Sequence, residues 1–173
     1  MTAGDAAGAD QASGSETAEA STRATAHGSS GRRVLVLNGP NLGRLGRRQP
    51  EIYGTTTHSE LVDLCRDWGR HLGLEVEVRQ TNHEGTMLDW LNLAADDEIP
   101  VVLNAAAWTH YSYALLDACA QLVAPLVELH ISDPRSRPEE FRHHSVVTAY
   151  AAAEITGQGI DGYRQALEFL AGR

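Results

Sequence analysis

Glu128 and His130 stand two residues apart in the run Glu128-Leu129-His130-Ile131-Ser132. On an extended chain such positions share a face, so the carboxylate can hold one imidazole nitrogen and leave the other to donate a proton. The pair reads as an acid with its orienter, although a histidine satisfied in a core accounts for His130 taken alone. A base is offered by Tyr53, which ends a stretch beginning at Asn38 that also carries Arg44, Arg47 and Arg48. A phenol is a poor base at its ordinary pKa of about 10, but neighbouring guanidinium groups favour the phenolate. An aromatic ring packed at the turn before Gly54 accounts for Tyr53 as well. Taken with a rim rich in Asn and Arg, the set suits a small carboxylate from which a base removes an α-proton while an acid protonates a leaving oxygen.

Competing chemistries fail on residue type or spacing. His83, His110, His130, His143 and His144 form no H-E-x-x-H, and their neighbours are Asn, Ser and Arg, which suit an anion better than a cation. No metal is expected. All fourteen basic residues are arginines, so the lysine of an imine enzyme or of a P-loop is missing. The glycines at 39, 43 and 46 do not give G-x-G-x-x-G, which argues against a nucleotide cradle. Cys65 and Cys119 lie far apart within apolar patterns and read as buried thiols of a reducing cytoplasm. With 173 residues, 42% of them hydrophobic, and a formal charge of −9, the chain fits one soluble domain. No apolar run approaches the length of a membrane span, and neither a membrane nor a nucleic acid is expected as partner.

The elements that must position these residues follow from periodicity. Residues 1–32 are Ala, Gly, Ser, Thr and acidic residues with Met1 as the only large apolar side chain, and are expected to form a disordered tail. The catalytic body is then 33–173. Short β-branched or Leu-rich runs predict strands over 33–38, 75–80, 101–104 and 126–129, with a fifth near 146–147 or 151–155. Helical spacing predicts helices over 57–72, 86–95, 112–121 and 160–170, the first opened by the capping-box spacing Thr57-His58-Ser59-Glu60. Alternating strands and helices imply an α/β, flavodoxin-like fold with a five-stranded parallel sheet and helices on both faces. Ligands of such sheets bind beyond the carboxyl ends of the strands, and the chemical residues lie at or after the ends of the first four strands, which converge on one rim. The stretch from Asn38 to Thr57 is long for a connection and carries three arginines and a tyrosine, as an active-site lid would.

Three segments carry a resemblance. They are Leu37-Asn38-Gly39-Pro40-Asn41-Leu42 with Leu45-Gly46 and the stretch from Arg48 to Tyr53-Gly54; Arg79-Gln80-Thr81-Asn82-His83-Glu84-Gly85; and Glu128-Leu129-His130-Ile131-Ser132 with Phe141-Arg142-His143-His144-Ser145. Through them the body resembles the type II 3-dehydroquinate dehydratases. The resemblance implies conversion of 3-dehydroquinate to 3-dehydroshikimate in the cytoplasm, as a step of the shikimate pathway, without metal or organic cofactor, in a homo-dodecamer built from trimers. It implies that Tyr53 takes the C2 proton through an enolate, Arg48 stabilises the charge, His130 protonates the C1 hydroxyl, Asn41 places a water on the enolate oxygen and Glu128 orients His130. Asn104, His110, the backbone N–H groups of Ile131 and Ser132, and Arg142 would hold the substrate, with Asp117 reaching in from a neighbouring subunit. The chain departs from the family pattern at Ala106, where Gly is usual, and at Trp108, Tyr111, Tyr113, Leu116 and Asp133. Those departures leave two alternatives: the same chemistry on an amino or otherwise modified dehydroquinate, and a catalytically silent paralogue that binds a small anion.

Overall fold

A computed structural model describes residues 31–47 and 54–173. Five strands form one parallel sheet: β1 (Arg32–Asn38), β2 (Leu74–Gln80), β3 (Val101–Asn104), β4 (Leu126–His130) and β5 (Ala153–Thr156), in the order β2-β1-β3-β4-β5. Among the described residues four α-helices cover it: α1 (His58–His71), α2 (Glu84–Asp96), α3 (Tyr113–Ala120) and α4 (Asp161–Ala171). This is the expected flavodoxin-like order. The fifth strand lies at the second of its two expected places. Val146 and Val147 are buried in the core, but in a loop rather than a strand. The expected tail falls almost wholly outside the described residues, as do Arg48 and Tyr53 of the expected lid.

Alternation along the strands builds two cores. Val34 and Val36 of β1, Val102 of β3, and Val127 and Leu129 of β4 enter one, against Leu61 and Cys65 of α1 and Tyr163, Ala166, Leu167 and Leu170 of α4. Leu35 and Leu37, Val101 and Leu103, and Leu126 enter the other, against Met87 and Leu91 of α2 and Leu115 and Ala118 of α3. Both faces of the central strands are therefore apolar, as a doubly covered parallel sheet requires. Glu128 and His130 are exceptions on the second face, and an ionisable pair buried there must be supplied with partners. At the start of α1 both halves of the capping box are made: Thr57 Oγ1 accepts from the Glu60 amide at 3.2 Å and Glu60 accepts from the Thr57 amide at 2.7 Å.

The order of the strands sets where a ligand enters. The chain leaves β1 for β2 on one side and reaches β3 on the other, so a crevice opens between the ends of β1 and β3. There Asn38 and Asn104 are paired in register, and the Gly39 amide donates to Asn104 O at 2.8 Å. A Cβ on Gly39 would stand 2.7 Å from the Ala105 carbonyl oxygen, so only glycine lets the two strand ends approach this closely.

Candidate active site

A cleft of about 170 Å³ opens at this crevice. Asn41, Leu42, Arg44 and Leu45 line it from the segment after β1; Asn104, Ala106, Ala107 and His110 from the end of β3 and the turn that follows; His130, Ile131, Ser132 and Pro134 from the end of β4; and Arg137 and Arg142 from the next loop. Three of the four expected strand ends thus meet. The end of β2 does not line the cleft but braces it from behind, because Asn82 Oδ1 accepts from the Asn41 amide at 2.9 Å and Gln80 Nε2 donates to Gly39 O at 3.1 Å. Those bonds hold Asn41 in the left-handed region at φ 67°, where Asn is among the few side chains that settle without large cost.

Glu128 is fully buried, and His130 Nε2 bonds its Oε1 at 2.9 Å. The Thr109 and Ser145 hydroxyls donate to the same oxygen at 2.5 and 2.6 Å, and Thr148 Oγ1 donates to Oε2 at 2.6 Å. Burial, the largest influence, pushes the carboxyl up, but the bonds from His130, Ser145, Thr109 and Thr148 together bring it down to about 2. The carboxylate is therefore ionised at any working pH. It fixes an imidazole that is 8% exposed and borders the cleft.

On the facing wall, His110 Nδ1 bonds His144 O at 2.8 Å and its ring meets Phe141 edge-on at 5.7 Å. Burial first, and then repulsion from Arg142 and from His130 whenever it is protonated, hold His110 below the ordinary imidazole pKa despite that bond. A neutral ring that donates from Nδ1 keeps its other nitrogen as an acceptor. Asn104 forms the floor, with its amide oriented on both sides: Oδ1 accepts from the Ala106 amide at 3.3 Å and Nδ2 donates to the Tyr163 hydroxyl at 3.1 Å. Tyr163 in turn donates to Asn38 Oδ1 at 2.6 Å, and burial raises its own pKa far above the usual phenol value.

Ala106 lies at φ 51°, a left-handed conformation that strains a residue with a Cβ. The residue lines the cleft and also packs against the first of the two cores. Arg142 stacks on Phe141 at 4.9 Å and lies 3.2 Å from Glu139. Asp117 is not brought to the cleft: it is exposed on the outside of α3, beside the exposed Tyr113. Among the described residues no three His, Cys, Asp or Glu side chains come together as metal ligands.

The hydroxyls around Glu128 and the Tyr163 link are absent from the expected site. Ser145 belongs to the quoted Phe141-Arg142-His143-His144-Ser145 run and Thr109 sits between Trp108 and His110, so position beside a charged rim was their only sequence signal.

The model of the family described as dehydroquinase class II matches residues 32–171. The chain belongs to the class II dehydroquinase family. A Salinispora tropica protein named 3-dehydroquinate dehydratase is 64% identical over 141 residues, which are 82% of this chain and 98% of that one. A Mycobacterium tuberculosis protein of the same name is 55% identical over 138 residues, 80% of this chain and 93% of its own. Among solved structures, the type II dehydroquinase from Propionibacterium acnes superposes with a TM-score of 0.81 at 57% sequence identity, covering 83% of this chain and 99% of that one.

Proposed function

We propose that the protein dehydrates 3-dehydroquinate to 3-dehydroshikimate and water. The observation that carries this reading is near-full-length similarity to proteins named for that activity, 64% identical in one case. The site geometry supports it, because a cleft at the sheet's switch point brings together a buried carboxylate–imidazole pair, three cleft-lining arginines and a fixed Asn amide.

In this mechanism Tyr53 removes the C2 proton as phenolate and Arg48 stabilises the charge. Asn41 holds a water on the enolate oxygen, a fixed dipole aimed where charge develops. His130, oriented by Glu128, gives its proton to the C1 hydroxyl, which leaves as water while the C1–C2 double bond forms. Asn104, His110, the amides of Ile131 and Ser132, and Arg142 hold the ring and its carboxylate. The reaction is a proton transfer at each end of one bond and asks for neither metal nor organic cofactor. Asp117 reaches a neighbour's cleft in a dodecamer built from trimers; its exposed place near Tyr111 and Tyr113, themselves 60% and 73% exposed, supports an interface there. Two buried, unpaired thiols suit a cytoplasmic location, and no helix among the described residues is long and apolar enough to cross a membrane.

The test is direct. Purified protein given 3-dehydroquinate should produce the ultraviolet absorbance of a conjugated enone, and a lack of turnover at every pH between about 5 and 9 would reject the assignment.

A further inference from the structure

Resting on His130 as the acid of that reaction, we infer that Thr109, Ser145 and Thr148 are positioning residues that act through Glu128 to fix which nitrogen of His130 carries the transferred proton. Three separate segments contribute them: the turn Ala106–His110, the loop after Glu140–His143, and the turn Thr148–Tyr150. Their sequence separations from Glu128 are 19, 17 and 20 residues, so the arrangement exists only in the folded chain.

Ser145 Oγ accepts the amides of Val147 at 3.1 Å and Thr148 at 3.2 Å, which occupies its lone pairs and directs its single hydrogen to Glu128. Thr109 then turns its own hydrogen to the same carboxylate oxygen, and Thr148 serves the other. All three hydroxyls donate inward, so a proton on Glu128 would find no acceptor among them. The remaining partner, His130 Nε2, must therefore present an N–H. Neutral His130 is held in that tautomer, and its other ring nitrogen is the one that takes and gives the proton. A wrong tautomer in a comparable carboxylate–imidazole pair costs far more rate than the hydrogen bond alone.

The charged and titratable groups facing Glu128 are few. His130 shares its strand, His110 comes from the turn after β3, and Cys119 faces it from α3 with its thiol pushed up to about 12, chiefly by burial. Glu154 on neighbouring β5 pairs with Glu128 in register but bonds Arg135 at 3.0 Å. None of these replaces a missing hydroxyl donor.

Thr109→Val, Ser145→Ala and Thr148→Val should each lower kcat about tenfold with KM little changed, the scale of one lost bond to a charged group. The acid limb of the kcat profile should move to higher pH, because burial then raises the Glu128 carboxyl against fewer donors. Thr109→Ser and Thr148→Ser should restore both. Nitrogen-15 spectra of His130 in the ligand-free protein should show one locked tautomer, and a mixture in the Val and Ala variants. Unchanged kcat, acid limb and tautomer in all three variants would overturn the inference, as would Ser variants no better than Val. A protein that never turns over 3-dehydroquinate, yet loses the locked tautomer in these variants, keeps the positioning role and loses the assigned reaction.

Discussion

Glu128→Gln removes one charge and almost no volume from a fully buried position. The folded carboxyl lies at about 2 against an ordinary 4.5. At about 1.4 kcal/mol per pH unit, that gap is worth about 3 kcal/mol of folding stability. Because the folded value is the lower one, the contribution is complete above pH 4.5 and fades as pH falls toward 2. At pH 3 about one pH unit of it remains, or about 1.4 kcal/mol. Urea unfolding of both proteins at pH 5 and pH 3, at one protein concentration, should show the stability difference shrinking by about 2 kcal/mol. Working below pH 5 keeps ordinary imidazole titration out of the comparison. A difference that stays constant, or widens in acid, would mean that hydroxyl and imidazole donors do not outweigh burial at this carboxylate.

Two further substitutions probe the floor and wall of the cleft. Ala106→Gly relieves the strain at φ 51° and should raise stability by about 1 kcal/mol, read as a higher urea midpoint with an unchanged slope. Tyr163→Phe leaves Asn38 Oδ1 without its donor, on a residue whose Nδ2 already lacks a partner, and should cost about 2 kcal/mol by the same assay. A neutral result would mean that the two amides find other partners.

The sheet was legible in the sequence because its central strands are apolar on both faces. Val34 through Leu37, Val101 through Leu103 and Leu126 with Val127 leave no other economical placement, and their expected and observed bounds differ by one residue at most. Edge strand β5 was ambiguous for the converse reason: it is Ala153–Thr156, half exposed, and it competed with Val146 and Val147, whose burial comes from a loop packed under α3. Helix ends were legible where a side chain marks them, as Thr57 and Glu60 do for α1.

In the site, spacing revealed what lies close in the chain. Glu128 and His130 are two residues apart, and their hydrogen bond follows from strand geometry. The hydroxyls of Thr109, Ser145 and Thr148 follow from no local pattern, since Ser and Thr are common in loops and these converge only when three turns fold over β4. Tyr163 was legible as a core position of α4, but its hydroxyl bonds Asn38 across 125 residues, a contact that only the folded topology supplies. The family pattern drew attention to Ala106, while its left-handed backbone is visible only in the fold.

In the proposed reaction His130 is the acid that expels the C1 oxygen after a separate base has taken the C2 proton. Incubating His130→Ala with 3-dehydroquinate in deuterated water, and following both C2 exchange and enone formation, separates those two steps. Deuterium should enter C2 while dehydration is nearly abolished; a variant that still forms the enone at close to the unmodified protein's rate would remove His130 from the acid's role.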